Sequence, residues 1–244
     1  MAIAVFGDIH GNLEALEAIL KDIKHNRKIK EVYFLGDAIS FGPDNSACLK
    51  LLAKHEVNCV VGNHEQRVVR YDKAVDVLTY AGEKHMEWVF GQLDSDDLRF
   101  IKDCPVEIKI NYKGFNLLFT HYSHDVDGVL RDDYDEFKET LLERLFGKTS
   151  TDVVFFGHVH NRKIIINEQG KSYICNGSSG CVHTDQTFYT YFEVNDKIHR
   201  NFDIYRINVK YNRKKFEEKL VRTEIPEKEK FAKYCFGLDL SPKG

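Results

Sequence analysis

With 244 residues the chain is long enough for one large domain with a substantial core, or for two small ones. Hydrophobic residues at 43% and charged residues at 30% suit a soluble globular protein and exclude a disordered one. The formal charge of −3 gives no basic footprint for nucleic acid, and no stretch approaches the roughly 18 apolar residues that span a bilayer.

The run at 2–6 (AIAVF) stops at Gly7 and reads as a buried strand, too short for a secretory signal and without a basic leader. Residues 12–24 place Leu13, Leu16, Ile19, Leu20 and Ile23 at helical spacing. A strand at 31–35, a helix at 44–54 with Asp44 as N-cap and a strand at 57–61 complete a βαβαβ pattern, which predicts a parallel sheet covered by helices. The charged stretch 65–103 is helical in pattern, with a segment capped by Ser95 and a stop at Pro105. Strands at 106–111 and 115–120 come next, joined at Lys113-Gly114, then a helix at 134–146 and a buried strand at 152–156. Beyond 163 the pattern is β, with Gln169-Gly170 and Asn195-Asp196 as hairpin turns, before a short charged helix at about 213–221 and a polar tail. Without a repeat or linker, one domain over 1–244 is expected, with a helical insertion at about 65–103 and a β-rich part at about 163–210. Six cysteines without a CxxC pair fit a reduced, cytoplasmic setting and leave a disulfide open.

The chemistry lies at the carboxyl end of each apolar run. AIAVF leads into Gly7-Asp8-Ile9-His10, and EVYFL into Gly36-Asp37. NCVV leads into Gly62-Asn63-His64-Glu65, NLLFT into His121, and DVVFF into Gly157-His158-Val159-His160. The carboxyl ends of parallel strands share one sheet edge, so these residues are expected to converge although they span 150 positions. Taken singly, Asp-x-His and Gly-Asp are turn formers or solvated groups, and His121 is a core or surface histidine. Together the mixed imidazole, carboxylate and amide set suits manganese, iron or zinc better than magnesium or calcium.

This ordered series resembles the calcineurin-like metallophosphoesterases over roughly residues 1–200. The opening GDIHGNLEALEAIL and the run LGDAISFGPDN are most similar to the small bacterial and archaeal branch, which includes diadenosine tetraphosphatase-like proteins and compact phosphodiesterases. The resemblance implies an α/β (α+β) fold, a four-layer sandwich of two mixed β-sheets flanked by helices, with metals at one edge. It further implies that Asp8, His10 and His160 hold one metal ion, that Asn63, His121 and His158 hold a second, and that Asp37 bridges them. The metals would be manganese or iron, with zinc permitted by the ligands. A hydroxide held between the metals would attack phosphorus, with His64, kept off the metals, as general acid. The substrate is expected to be a small phosphorylated molecule of nucleotide type, with a dinucleoside polyphosphate among its candidate forms, and no membrane partner is expected.

Three further residues are candidate substrate contacts: Arg162, two positions past His160, and Tyr122 and His124, just after His121. His183 is a weaker candidate. Asn176-Gly177-Ser178-Ser179-Gly180 stands where relatives often carry an Asn-Pro-Gly-Ser turn. The 65–103 insertion suggests a lid, although Tyr80, Met86, Trp88 and Phe90 fit packing within that segment. The rival reading is a non-catalytic scaffold, the use made of this fold in a retromer subunit; retention of every ligand and of His64 counts against it. A magnesium phosphatase with Asp8 as nucleophile has no need of the histidine cluster.

Overall fold

A computed structural model describes residues 1–72, 80–131, 138–196 and 201–240. Strand β1 (Ala2–Phe6) is buried on both faces, which is why its sequence is continuously apolar. It pairs in parallel with β2 (Ile29–Phe34), which pairs with the short β3 (Asn58–Cys59). On the other side of β1, the antiparallel strands β9 (Gln186–Asp196) and β10 (Asn201–Lys210) complete a sheet of order β10-β9-β1-β2-β3. The second sheet has the order β4-β5-β6-β8-β7, built from β4 (Glu107–Tyr112), β5 (Phe115–Thr120), β6 (Val153–Phe156), β7 (Lys163–Ile166) and β8 (Ser172–Cys175). Strands β5, β6 and β8 run parallel, and both sheets are mixed.

Side-chain alternation sorts the core into layers. Ile3 and Val5 face Leu117, Phe119, Val153 and Phe155 of the other sheet. Ala2, Ala4 and Phe6 face helices α1 (Leu13–His25) and α2 (Asn45–Lys54). Leu118, Val154 and Phe156 face the helix at Glu139–Phe146. The result is the expected sandwich of two mixed sheets between helical layers.

The insertion contains α3 (Asn63–Asp72), α4 (Tyr80–Phe90) and α5 (Ser95–Asp103), and the helix at Glu139–Phe146 is α6. Met86 is buried, and Trp88 and Phe90 pack against the same core; the Tyr80 side chain lies outside the described residues. Three expectations are corrected, and the Asp44 cap is found at its expected position. Asp94, not Ser95, caps α5, because its carboxylate accepts from the Asp96 and Asp97 N–H groups while Asp97 reaches back to the Asp94 N–H. Asp44 holds the N-cap position of α2 without a side-chain cap bond, its carboxylate turned to Lys219 at 2.8 Å. The strand expected at 57–61 shortens, because the Val61 N–H leaves the ladder for Pro105 O. The tail folds: after α7 (Arg213–Arg222), α8 (Lys228–Phe236) buries Phe231, Ala232 and Phe236. Strand β9 runs through Asn195-Asp196, so the turn after it lies outside the described residues, as does the 134–137 part of the expected helix. No helix among the described residues is long and apolar enough to cross a membrane.

Candidate metal centre

The strand ends converge as the spacing demands. The Asp8 N–H donates to Gly36 O at the end of one sheet and the Gly157 N–H to His121 O at the end of the other, while the His158 N–H donates to Asp8 Oδ1 at 3.0 Å and ties the two together. Close approach requires bare backbone there. A Cβ on Gly62 would lie 2.2 Å from Asp37 Oδ1, and one on Gly157 would lie 2.4 Å from Asp8 Oδ2. Asp8, His10, Asp37 and His158 all have φ between 49° and 67°, a region costly for residues with side chains. Such strain at four polar residues marks a site where position outranks backbone comfort.

Asp37 stands at the centre. Its Oδ2 lies 3.3 Å from His121 Nε2, 3.8 Å from His10 Nε2 and 3.9 Å from His64 Nε2. On one side, His10 Nε2 and His160 Nε2 face each other at 3.1 Å, with Asp8 Oδ1 3.7 Å from His160 Nε2. On the other, Asn63 Oδ1 lies 2.8 Å from His121 Nε2 and 3.2 Å from His158 Nδ1. His10 Nδ1 donates to Ile39 O and His121 Nδ1 to Leu35 O, which fixes both rings with Nε2 toward the centre. The structure therefore brings together Asp8, His10, Asp37, Asn63, His64, His121, His158 and His160.

The charges are poised for cations. Burial pushes His10 and His160 down to about 3, so both rings are neutral donors. Burial raises Asp8 well above the usual carboxylate range. Burial also opposes the charge on Asp37, yet His121 and His64 outweigh it and hold Asp37 well below that range. Burial likewise disfavours a charged His121, but the Asp37 carboxylate raises it to about 9. The donor set fits metal: His10 Nε2 aims a lone pair at another ring nitrogen, and Asp8 Oδ2 is buried with no hydrogen-bond partner. The triads Asp8–Asp37–His121 and His10–Asp37–His64 each place their ligand atoms within 4.8 Å of one another.

Around this centre Glu65 has a structural role that the sequence did not reveal. Its buried carboxylate accepts from the N–H groups of Asp37, Ala38, Ile39 and Gly62, and so clamps two strand ends. Burial pushes it up to about 7.

A cavity of about 210 Å³ opens over the centre, lined by Asp37, Phe41, Asn63, His64, Arg67, His158 and His160. Arg67 and Phe41 were not among the residues expected from the sequence. Arg67 stands three residues after His64 on a helix that begins at Asn63, a spacing that puts both on one face. Phe41 packs on His10 and His64 with ring centroids 4.5 and 4.9 Å away. His85 of α4 bonds to Ser40 Oγ at 2.8 Å and stands beside Phe41, so the insertion braces this wall.

The expected substrate contacts lie elsewhere. Tyr122 is 1% exposed and stacks on His158 at 4.7 Å, so it steadies that ring and has no surface for a substrate. Arg162 is half-buried beside Arg206 and Cys175 and does not line the cavity. His124 bonds to Asp125 O and Glu107, away from the opening. His183 donates to Tyr234 O at the C-terminal helix.

The buried neutral imidazoles predict acid lability of the metal-free protein. His10, His64 and His160 sit near 3 and His85 near 4, against 6.5 in an unfolded chain. Their stabilising contribution is present above pH 6.5 and is lost as pH falls toward the folded values. Asp8, Glu65 and His121 oppose this, because their raised values let the folded state take up protons first, His121 chiefly above pH 6.5. Below about pH 6 the four depressed imidazoles outweigh the raised groups, so stability falls as the pH is lowered further. Denaturant titrations from about pH 6 to 4.5 check this, and a flat profile there would contradict the neutral assignment.

The fold and the gathered donors define a metal-binding centre on a two-sheet sandwich. The chain belongs to the calcineurin-like phosphoesterase family, whose model matches residues 1–162. An uncharacterized protein of Methanocaldococcus jannaschii is 30% identical, over 92% of this chain and 94% of its own. A symmetrical bis(5'-nucleosyl)-tetraphosphatase of Pseudomonas putida is 25% identical, over 73% of this chain and 66% of its own. Among solved structures, a metallophosphoesterase of Sphaerobacter thermophilus has a TM-score of 0.71 at 18% identity, covering 96% of this chain and 98% of its own. A hypothetical protein of Pyrococcus horikoshii has a TM-score of 0.72 at 18% identity, covering 98% of this chain and 99% of its own.

Proposed function

We propose that the protein is a hydrolase that uses two metal ions, manganese or iron, to cleave a phosphate ester or phosphoanhydride of nucleotide type. The observation that carries this reading is Asp37 Oδ2 lying within 3.9 Å of His10, His64 and His121, between two groups of donors. Asp8, His10 and His160 would hold one ion, Asn63, His121 and His158 the other, with Asp37 shared. Bound ions supply Lewis acidity toward a phosphoryl oxygen and lower the pKa of water toward neutrality.

The chain's own part is to orient the ester and move a proton. His64 lines the cavity, its backbone N–H anchored on Asp37 Oδ1 at 3.0 Å and its Nε2 3.9 Å from Asp37 Oδ2. Burial pushes that ring down to about 3, but an anionic phosphoryl group beside it favours the charged form. His64 then carries the proton that the leaving oxygen takes. Arg67, on the same helix face, offers a planar set of donors to phosphate oxygens. Arg67→Ala is expected to raise KM about 10–100-fold, with a smaller effect on kcat, in steady-state assays.

The likeness to the Pseudomonas putida tetraphosphatase, and an aromatic wall at Phe41 on which a base can stack, support a nucleotide substrate. Chromatography of products from diadenosine tetraphosphate and manganese-loaded protein tests it, with His64→Ala as blank. The expected result is metal- and His64-dependent cleavage, to two ADP for symmetrical attack or AMP and ATP for asymmetrical attack. No cleavage would remove the nucleotide preference and turn the test to simple aryl mono- and diesters.

A further inference from the structure

The rings at the centre are not all held in the same way. His10 and His121 each donate from Nδ1 to a backbone carbonyl, whereas His64 Nδ1 is buried and has no hydrogen-bond partner among the described residues. The His64 backbone is anchored on Asp37, so the direction of its ring depends on what packs against it. Two neighbours meet that ring nearly edge-on, His10 with centroids 5.1 Å apart at 87° and Phe41 at 4.9 Å and 76°. His10 has its own bond to Ile39 O, but Phe41 must be held by something else.

The backbone under Phe41 needs that support. Ser40 and Phe41 have φ of 79° and 60°, the left-handed region that is costly for residues with side chains. Asn45 Oδ1, at the start of α2, accepts from the Ser40 N–H at 2.7 Å. His85 Nε2, on α4, accepts from Ser40 Oγ at 2.8 Å and from the Phe41 N–H at 3.4 Å. Burial pushes the His85 ring down to about 4, which keeps this accepting lone pair free of a proton at neutral pH. Phe231 of α8 packs on both rings, 4.8 Å from Phe41 and 4.6 Å from His85. A run of contacts thus leads from α8, beyond the residues 1–162 that the family model matches, through His85 and Phe41 to His64.

We propose that His85 is a positioning residue for hydrolysis: it holds Phe41 in its left-handed conformation, and Phe41 holds the His64 ring at the angle from which it delivers a proton. The proposal rests on the reading of His64 as general acid. Without His85, the Ser40-Phe41 backbone can relax out of the left-handed region and take the Phe41 ring off His64. No bond at Nδ1 then resists rotation of the His64 ring, and Nε2 faces the leaving oxygen for only part of the time.

Kinetics of the metal-loaded whole protein and proton NMR of the metal-free protein test this together. His85→Ala should lower kcat on an alkyl phosphate ester about 10–100-fold, with KM and metal content at the wild-type level. On a nitrophenyl ester, whose leaving group departs without a proton, the change should stay within about 2-fold, which also shows that the variant is folded. In a His64→Ala background the same substitution should cost no more than about 2-fold on either ester, because its effect runs through His64. His85→Gln, whose amide oxygen can accept from Ser40 and Phe41, should recover most of the loss. Phe231→Leu should act in the same direction as His85→Ala, and more weakly. The Overhauser contact between the Phe41 and His64 rings should be present in the wild type and His85→Gln and lost in His85→Ala. Equal losses on both esters, an undiminished loss in the His64→Ala background, or an unchanged Overhauser contact in His85→Ala would each overturn the proposal. A wild type that binds metal but cleaves neither ester would overturn the general-acid reading, and the Overhauser contact alone would then decide whether His85 orients the ring.

Discussion

Replacing His64 with alanine is expected to lower turnover about 10²–10⁴-fold while leaving metal content at the wild-type level. The ring lines the cavity above Asp37, and Asn63 with the surrounding strand ends supplies donors without it. The loss should fall on kcat more than on KM, because a proton delivered to a leaving oxygen stabilises the transition state and not the bound substrate. It should also shrink for esters with good leaving groups, which depart without help. Elemental analysis beside kinetics checks the prediction. Metal lost in proportion to activity would make His64 a ligand.

Asp37→Ala is expected to act in the opposite order, emptying at least one metal position first and abolishing hydrolysis as a consequence. The carboxylate has His10, His121 and His64 within 3.9 Å and is held ionised despite complete burial. Its removal also deprives His121 of the charge that raises that ring to about 9. The metal-free variant should therefore carry a His121 that titrates lower, visible by imidazole NMR. Asp37→Asn keeps the shape and the bond to the His64 N–H, and so separates lost charge from lost packing. Metal content unchanged in both variants would remove Asp37 from the centre.

The convergence of the site was legible because burial and polarity conflict so sharply along this chain. A strand such as Ala2–Phe6, apolar on both faces, must end where Asp8 begins, and a parallel sheet leaves such ends on one edge. Features that could not be read depended on directions that spacing does not encode. Tyr122 comes directly after His121, but only the packed second sheet shows that its ring turns inward onto His158. Arg162 stands two residues beyond His160, yet its guanidinium is half-buried near Arg206 and does not line the cavity. Arg67 was findable, since a helix starting at Asn63 puts positions 64 and 67 on one face. Helix α8 carries so many Lys and Glu residues that its buried Phe231 and Phe236 were masked as part of a polar tail.

The central claim is that the clustered donors form a hydrolytic metal centre, and reconstitution tests it most directly. Chelator-stripped protein would be titrated with manganese while hydrolysis of an aryl phosphate monoester and diester is monitored alongside bound metal. Activity should be absent without metal, reach its plateau as the second ion per chain binds, and vanish in the His64→Ala variant at full occupancy. Two bound ions with no hydrolysis of either ester would contradict the account, leaving a metal-binding scaffold in place of an enzyme.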